Sequence, residues 1–387
     1  MIRSSALIAA FFGIAISCLA DESKPVLFPI GGYSPQPTRD KAAGFTIAGP
    51  TYKDSRRLLE ECEKAGIDMI YRLRTSIDLK GKKGLALTSF NEEEVRREIR
   101  EQVEAVASSK RIHSWTISPE ELRFWRPLEL AYLRLVAEEV KASDPKKRPV
   151  WNYEPGHRDA ASLGKMLPYM GVSAKGMYVN YSDRLEERVW CRWSLRQQSE
   201  AIRASNDKAL FFALPEMFRQ PPAGTEGNIR AWVRHDTYSS LLEGAQGILI
   251  YSFASRKQFP AYDDYYNAYA EVARELNDPE LLGSVFAQGI EKEPVSHTVT
   301  IGPKTLTLSP KPPMKDAVTY PTVAMKRIEH GNREFLFLIN SAAEPVTLNL
   351  GPSEDSWIEF PEQQNGRTSR GEISLKAWEV LILIKAS

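Results

Sequence analysis

Along most of the chain, short apolar runs alternate with longer stretches that are apolar on one side only. The runs are "LFPIGGY", "GFTIAG", "DMIYRLR", "IHSWTI", "PVWNY", "GMYVNY", "ALFFAL" and "GILIYSF". Each is rich in β-branched or aromatic residues and nearly continuous in apolar character, which suits a parallel strand covered on both faces. Between them lie amphipathic segments with helix punctuation. "DSRRLLEECEKAG" offers Asp54 as an N-cap and Gly66 as a C-cap, and "NEEEVRREIREQVEAVASS" puts acids in the first turn, where the helix dipole favours them. "PLELAYLRLVAEEVKASDP", "RWSLRQQSEAIRAS", "NIRAWVRHDTYSSLLEGA" and "DDYYNAYAEVARELNDP" continue the series. "PTRDKAAG" is barely two turns, and residues 159–170 are interrupted by Gly164 and Pro168.

Eight strands with crossovers over about 250 residues have the rhythm of a (β/α)8 barrel, a TIM barrel. The competing doubly wound sheet has fewer strands and a glycine-rich first turn. "FPIGGYSPQP" has no G-x-G-x-x-G, and Pro35 and Pro37 spoil a helix start there.

After Ala287 the helical pattern gives way to short strands and turns, with a hairpin at "EHGNRE". The expected fold class is therefore α/β: a barrel over residues 21–287, followed by a small antiparallel β-sandwich over 288–387. Residues 1–20 read as a signal peptide, with Arg3 ahead of an apolar run from Ala6 to Ala20 that is short for a membrane span. The expected location is secreted or periplasmic. A lipoprotein signal with Cys18 as the acylated residue is the alternative.

Composition narrows the classes. The chain has 387 residues and a formal net charge of +1, so no basic excess points to nucleic acid. Without Cys18, two distant cysteines are left, Cys62 and Cys191, which is no disulfide framework, and buried thiols are expected. The histidines show no metal-ligand spacing, and no P-loop, G-x-S-x-G elbow or dinucleotide fingerprint occurs, so no cofactor or metal is expected.

In a barrel of this kind chemistry sits at the C-terminal ends of the strands. Tyr33, Tyr52, Arg72 and Arg74 follow the first three runs. The fourth run ends "SWTISPEELRFW", giving Glu120, Glu121, Arg123 and Trp125. Tyr153, Glu154 and His157 follow the fifth, Asn180 and Tyr181 the sixth, Glu216 and Phe218 the seventh, and Tyr251 and Phe253 the eighth. Aromatic faces stack on sugar rings, and two carboxylates across a cleft can serve glycoside cleavage. The expected substrate-binding residues are Tyr33, Arg72, Trp125, Tyr153, Glu154, His157, Asn180, Tyr181, Phe218 and Tyr251. Each has a plainer reading. "SPEE" is also a good helix start with Ser118 as N-cap, Glu216 also reads as a solvated loop carboxylate, and the arginines also read as salt-bridge formers.

The Pro-Glu after the fourth run and the Pro-Glu after the seventh, in "ALFFALPEMF", resemble the clan A glycoside hydrolases. That resemblance implies a glutamate acid/base at Glu120, a glutamate nucleophile at Glu216 and a retaining double displacement on a poly- or oligosaccharide. Trp115 and Trp125 are the apolar neighbours expected to raise the acid's pKa. Pro119 stands where the clan has Asn, and Phe253 is nearest to the place of its Trp. The alternative reading is a non-catalytic carbohydrate-binding or cell-surface protein on a degenerate barrel.

Overall fold

The structure, a computed structural model, describes residues 27–77, 87–184, 188–205, 208–277, 282–311, 314–351, 356–360, 368–369 and 371–386. The signal segment expected over residues 1–20 lies outside the described residues.

The chain up to Ile250 builds one all-parallel sheet. Its strands are β1 (Ile30–Gly32), β2 (Ile47–Ala48), β3 (Asp68–Leu73), β4 (Ile112–Ile117), β5 (Val150–Trp151), β6 (Tyr153–Glu154), β7 (Val172–Gly176), β8 (Leu210–Leu214) and β9 (Gly247–Ile250). Their order is β5-β4-β3-β2-β1-β9-β8-β7-β6. β5 and β6 are two halves of one barrel strand interrupted at Asn152: the first pairs with β4, the second with β7. The sheet thus closes into eight barrel positions. Helices α1 (Pro37–Ala42), α2 (Ser55–Ala65), α3 (Glu92–Val106), α4 (Pro127–Ser143), α5 (Ala160–Leu163), α6 (Trp190–Ala204), α7 (Ile229–Leu242) and α8 (Tyr262–Asn277) alternate with the strands.

Alternation along the strands separates two cores. Ile47, Ile70, Trp151, Val172, Ala174, Phe212, Leu214 and Leu249 fill the barrel interior. Met69, Tyr71, Trp115 and Ile117 face the helical layer with Val95, Ile99, Tyr132 and Val136. The caps read from the sequence are in place. Asp54 accepts hydrogen bonds from the Arg56 and Arg57 amides at 2.8 and 3.3 Å, and Gly66 ends α2 with φ +69°. Asp54→Ala is expected to cost about 1 kcal/mol, read as a lowered denaturant midpoint at unchanged slope.

One strand lies upstream of its expected place. The sixth barrel strand is "VSAKG" at Val172–Gly176, and "GMYVNY" mostly forms the loop that follows it. The strand was masked by Lys175, which is fully buried. Its ammonium donates to Ser194 O and Oγ at 2.9 and 2.8 Å and sits 5.0 Å from the Trp193 ring centre, so the tertiary structure satisfies what the pattern reads as polar.

Beyond α9 (Leu282–Gln288) the described strands are all antiparallel. Ile290–Lys292, Val323–His330, Arg333–Asn340, Val380–Lys385, Trp357–Glu359 and Thr368–Ser369 form a six-stranded sheet in that order. His297–Ile301, Val346–Leu350 and Glu372–Leu375 form a three-stranded sheet, and Leu336, Leu338, Leu348, Leu350, Trp357 and Leu383 make the core between the two. The opposite face of the larger sheet, with Phe335, Phe337 and Ile382, joins the core around Trp232 and Tyr238 of α7. The hairpin expected at "EHGNRE" pairs His330 with Arg333, and Gly331 takes φ +60°. Among the described residues no helix is long and apolar enough to cross a membrane.

Candidate active site

The fourth barrel strand carries Glu120 into the mouth. Ser118 follows the last residue of β4 and is tied on both sides: its hydroxyl accepts from Arg72 Nε at 2.8 Å, and its carbonyl accepts from the Tyr132 hydroxyl. Asn152, in the gap between β5 and β6, fixes the turn that follows. Its amide donates to Ile117 O and Pro119 O at 3.3 and 2.9 Å and accepts from the Leu122 N–H. The interruption in the fifth strand is therefore what positions residues 119–122. The turn is not a helix start. α4 begins at Pro127 and carries Glu129 in its first turn, while Glu121 has φ +59° and is exposed. Arg123 is a salt-bridge former, 2.6 Å from Glu129.

The Glu120 side chain is about a quarter exposed (27%). The Tyr52 hydroxyl lies 3.1 and 3.2 Å from its two oxygens, and Arg72 Nη1 lies 3.5 Å from one of them. The Arg72 guanidinium also stacks over the Tyr52 ring at 4.6 Å. A cation and a phenol thus converge on one carboxylate. Of the two tryptophans expected to desolvate Glu120, one faces away from it and the other is itself open to solvent. Trp115 faces the helical layer and donates to Asp144 at 2.9 Å, and Trp125 is 57% exposed against Phe124.

Glu216 follows β8 and is nearly buried, at 6% exposure. Its carboxylate accepts hydrogen bonds from the backbone amides of Asn180 and, at 3.0 Å, Tyr181, both on the loop after β7. Its backbone bridges to Tyr251, beyond β9. Burial pushes the carboxyl up to about 7, against the pull of the two amides and of Arg188. It is not the solvated loop carboxylate that the sequence alone also allowed.

Tyrosines stand between these two glutamates. Tyr33 lies 6.3 Å from Tyr52 and 5.1 Å from Tyr251, ring centre to ring centre. Tyr178 lies 5.9 Å from Tyr251, 6.2 Å from Tyr153 and 5.3 Å from Phe218. Tyr181 packs on Phe218 at 5.5 Å. Tyr52 has Tyr251 as a further partner, so Tyr251 is a common neighbour of the two glutamate sites. Tyr33, Arg72, Tyr153, Tyr181, Phe218 and Tyr251 are thus brought together in one set of contacts.

Three expected ligands are placed differently. Glu154 is fully buried and points away from the mouth, because its neighbour Tyr153 points in; it pairs with Arg158 under the barrel wall, where burial holds it up at about 7. Asn180 serves the site through its backbone, its side chain donating to the Tyr265 hydroxyl at 2.9 Å. His157 is exposed on the loop beyond Glu154. Of the two aromatics after the eighth strand, Tyr251 lines the mouth, while Phe253 packs outward on Phe45 and Tyr266. Two site residues escaped the sequence reading: Asn152, a polar residue inside an apolar run, and Tyr178, hidden in the misplaced sixth strand.

The fold is one shared with solved glycoside hydrolases. A family 5 glycoside hydrolase from Bacteroides vulgatus ATCC 8482 superposes with a TM-score of 0.55 at 12% identity, over 93% of this chain and 89% of that one. A further glycoside hydrolase gives 0.53 at 12% identity, over 93% and 92%. The α-amylase from Geobacillus thermoleovorans, complexed with acarbose, gives 0.52 at 10%, over 91% and 90%. No protein-family model and no curated protein matches the sequence.

Among the described residues one group has donors that could hold a metal ion: Cys191, His235 and Asp236, all buried between α6 and α7. Arg188 already occupies it. Its guanidinium donates to both Asp236 oxygens at 2.9 and 2.7 Å, His235 Nδ1 lies 2.9 Å from Asp236, and His235 Nε2 lies 3.0 Å from Ser341 Oγ. A fixed cation on both carboxylate oxygens makes this an ion-pair network that ties α6 and α7 to the β-sandwich.

Proposed function

We propose that the chain hydrolyses glycosidic bonds of a poly- or oligosaccharide by retaining double displacement, with Glu120 and Glu216 as the catalytic pair. One observation carries the reading. Among the described residues, the exposed large aromatics, Tyr52, Trp125 and Tyr181, all stand on loops after barrel strands two, four and six, on the one face that also carries Glu120; the other exposed large hydrophobics are aliphatic. An open aromatic face around a carboxylate is what stacking on sugar rings requires.

The surroundings of the two carboxyls favour a division of labour opposite to the one implied by clan resemblance. Glu120, beside Arg72 and the Tyr52 hydroxyl, is suited to stay ionised and attack the anomeric carbon. Glu216, held near 7 by burial, is suited to carry a proton at neutral pH and give it to the leaving oxygen. In the second step the Glu216 carboxylate takes a proton from water, which cleaves the glycosyl–Glu120 ester and restores both groups.

A second reading, a binding protein on a degenerate barrel, is favoured by one observation: both Glu216 oxygens accept backbone N–H bonds, as a purely structural carboxylate would. Incubating the mature chain with a panel of polysaccharides and aryl glycosides, and assaying both new reducing ends and binding, decides between them. New reducing ends support hydrolysis; retention of a glycan without any cleavage supports the second reading.

A further inference from the structure

Two arginines, one after the seventh barrel strand and one after the eighth, have no carboxylate partner among the described residues. Most arginines near the barrel are spoken for: Arg123 and Arg126 pair with Glu129, Arg158 with Glu154 and Arg188 with Asp236. Arg256, on the loop after β9, differs. Its guanidinium carbon lies 5.3 Å from the Phe218 ring centre and 5.9 Å from that of Tyr251, and its hydrogen bond, at 3.4 Å, goes to Ser252 Oγ. Arg219, after β8, donates one N–H to the Tyr181 carbonyl at 3.3 Å. Neither has a carboxylate partner among the described residues. The acids near them in the chain have other partners or places: Glu216 accepts from the Asn180 and Tyr181 amides, Glu120 and Glu121 follow β4, and Asp183 is on the loop after β7.

The Phe218 and Tyr251 rings stand at 80° to each other and hold the Arg256 guanidinium in the corner between them, where its fork of N–H donors has one hydrogen bond, to Ser252 Oγ. That fork geometry matches a planar carboxylate or a sulfate edge, and it is wasted on a neutral hydroxyl. A neutral sugar also gains most from bare aromatic faces, and here a cation covers part of Phe218 and Tyr251. Among the described residues, the mouth thus has Glu120 after the fourth strand, a Glu216 bound to backbone amides after the seventh, and two guanidinium groups without a carboxylate partner after the seventh and eighth.

We propose that the substrate is an anionic glycan, whose carboxylate or sulfate ester is held by Arg256 with Arg219 while a neighbouring glycosidic bond lies at Glu120. This rests on the hydrolytic reading above and names its substrate class.

Affinity electrophoresis and reducing-end assays with four polymers test it: polygalacturonate, its carboxyl-reduced form, chondroitin sulfate, and its desulfated form. Retardation and cleavage are expected with a charged polymer. Loss of the response on carboxyl reduction identifies the carboxylate, and loss on desulfation identifies the sulfate. Arg256→Ala should weaken binding roughly tenfold or more, Arg256→Lys should restore part of it, and the melting temperature should not change. Equal binding of polygalacturonate and its carboxyl-reduced form with no loss on desulfation of chondroitin sulfate, or an Arg256→Ala variant that binds as the parent does, overturns the proposal. Binding of a charged polymer without cleavage upholds it and overturns hydrolysis. Cleavage of the neutral, carboxyl-reduced polymer only does the reverse, and binding to none of the four overturns both.

Discussion

Glu120→Gln and Glu216→Gln are each expected to lower turnover by about 10²–10⁴-fold on a natural glycoside, and they are expected to differ in every other respect. Gln keeps the shape of the side chain but can neither attack as a carboxylate nor carry a transferable proton. If Glu120 is the nucleophile, Glu120→Gln is equally slow on a natural glycoside and on a dinitrophenyl glycoside, because no leaving group replaces the missing attack. If Glu216 is the acid, Glu216→Gln recovers its first step on the dinitrophenyl glycoside, which departs without protonation. The pH profile separates the roles as well. An acid with its carboxyl near 7 is active in its protonated form, so kcat/KM falls as pH rises through about 7, and that limb disappears in Glu216→Gln. A rate that rises through about 7 instead, with dinitrophenyl activity spared in Glu120→Gln, restores the order implied by the clan resemblance. Stability should distinguish the two variants. Glu120 is partly exposed, and its variant should melt close to the parent. Gln at position 216 presents an NH2 group to one of two backbone N–H donors, so this variant should melt lower.

The features legible in the sequence were those governed by local rules. An apolar run broken by Pro-Glu marked the ends of the fourth and seventh barrel strands, and Asp54 and Gly66 marked the ends of α2, because strand ends and helix caps are set by residues close together in the chain. The features that escaped depend on residues far apart. Lys175 reads as solvent-facing until Ser194 and Trp193 of α6 close over it, and so its strand was placed too late. Asn152 reads as a flaw in an apolar run until the Ile117, Pro119 and Leu122 backbone groups that it satisfies are brought beside it. Trp115 and Glu154 were assigned to the mouth by their nearness to strand ends, yet alternation turns both outward. A count of residues to the strand's end locates a loop; only the register of the neighbouring strands says which side chains enter the barrel.

The second large effect is expected behind the mouth, at Asp236, whose charge and that of Arg188 also reach Glu216. The Asp236 carboxylate takes two hydrogen bonds from Arg188, whose side chain is 3% exposed and stacks 4.9 Å from the Trp232 ring centre, and one contact from His235, which reaches Ser341 of the β-sandwich. Burying this pair removes most of the water from two charges, and their mutual attraction repays that only while both are present. Asp236→Ala leaves Arg188 charged and enclosed without the carboxylate it is bonded to, because a guanidinium does not shed its proton. We expect a loss of about 3–5 kcal/mol, read as a lowered denaturant midpoint. Arg188→Met strands Asp236 instead, but a carboxyl can neutralise itself by taking up a proton, so the loss should be smaller and should shrink further as pH falls. Because the cost lies in the unpaired charge, Arg188→Met combined with Asp236→Leu should recover most of the loss of Asp236→Ala. A double variant no more stable than Asp236→Ala places the value of the network in the pair itself and in the contacts through His235 to Ser341, and defeats the desolvation account.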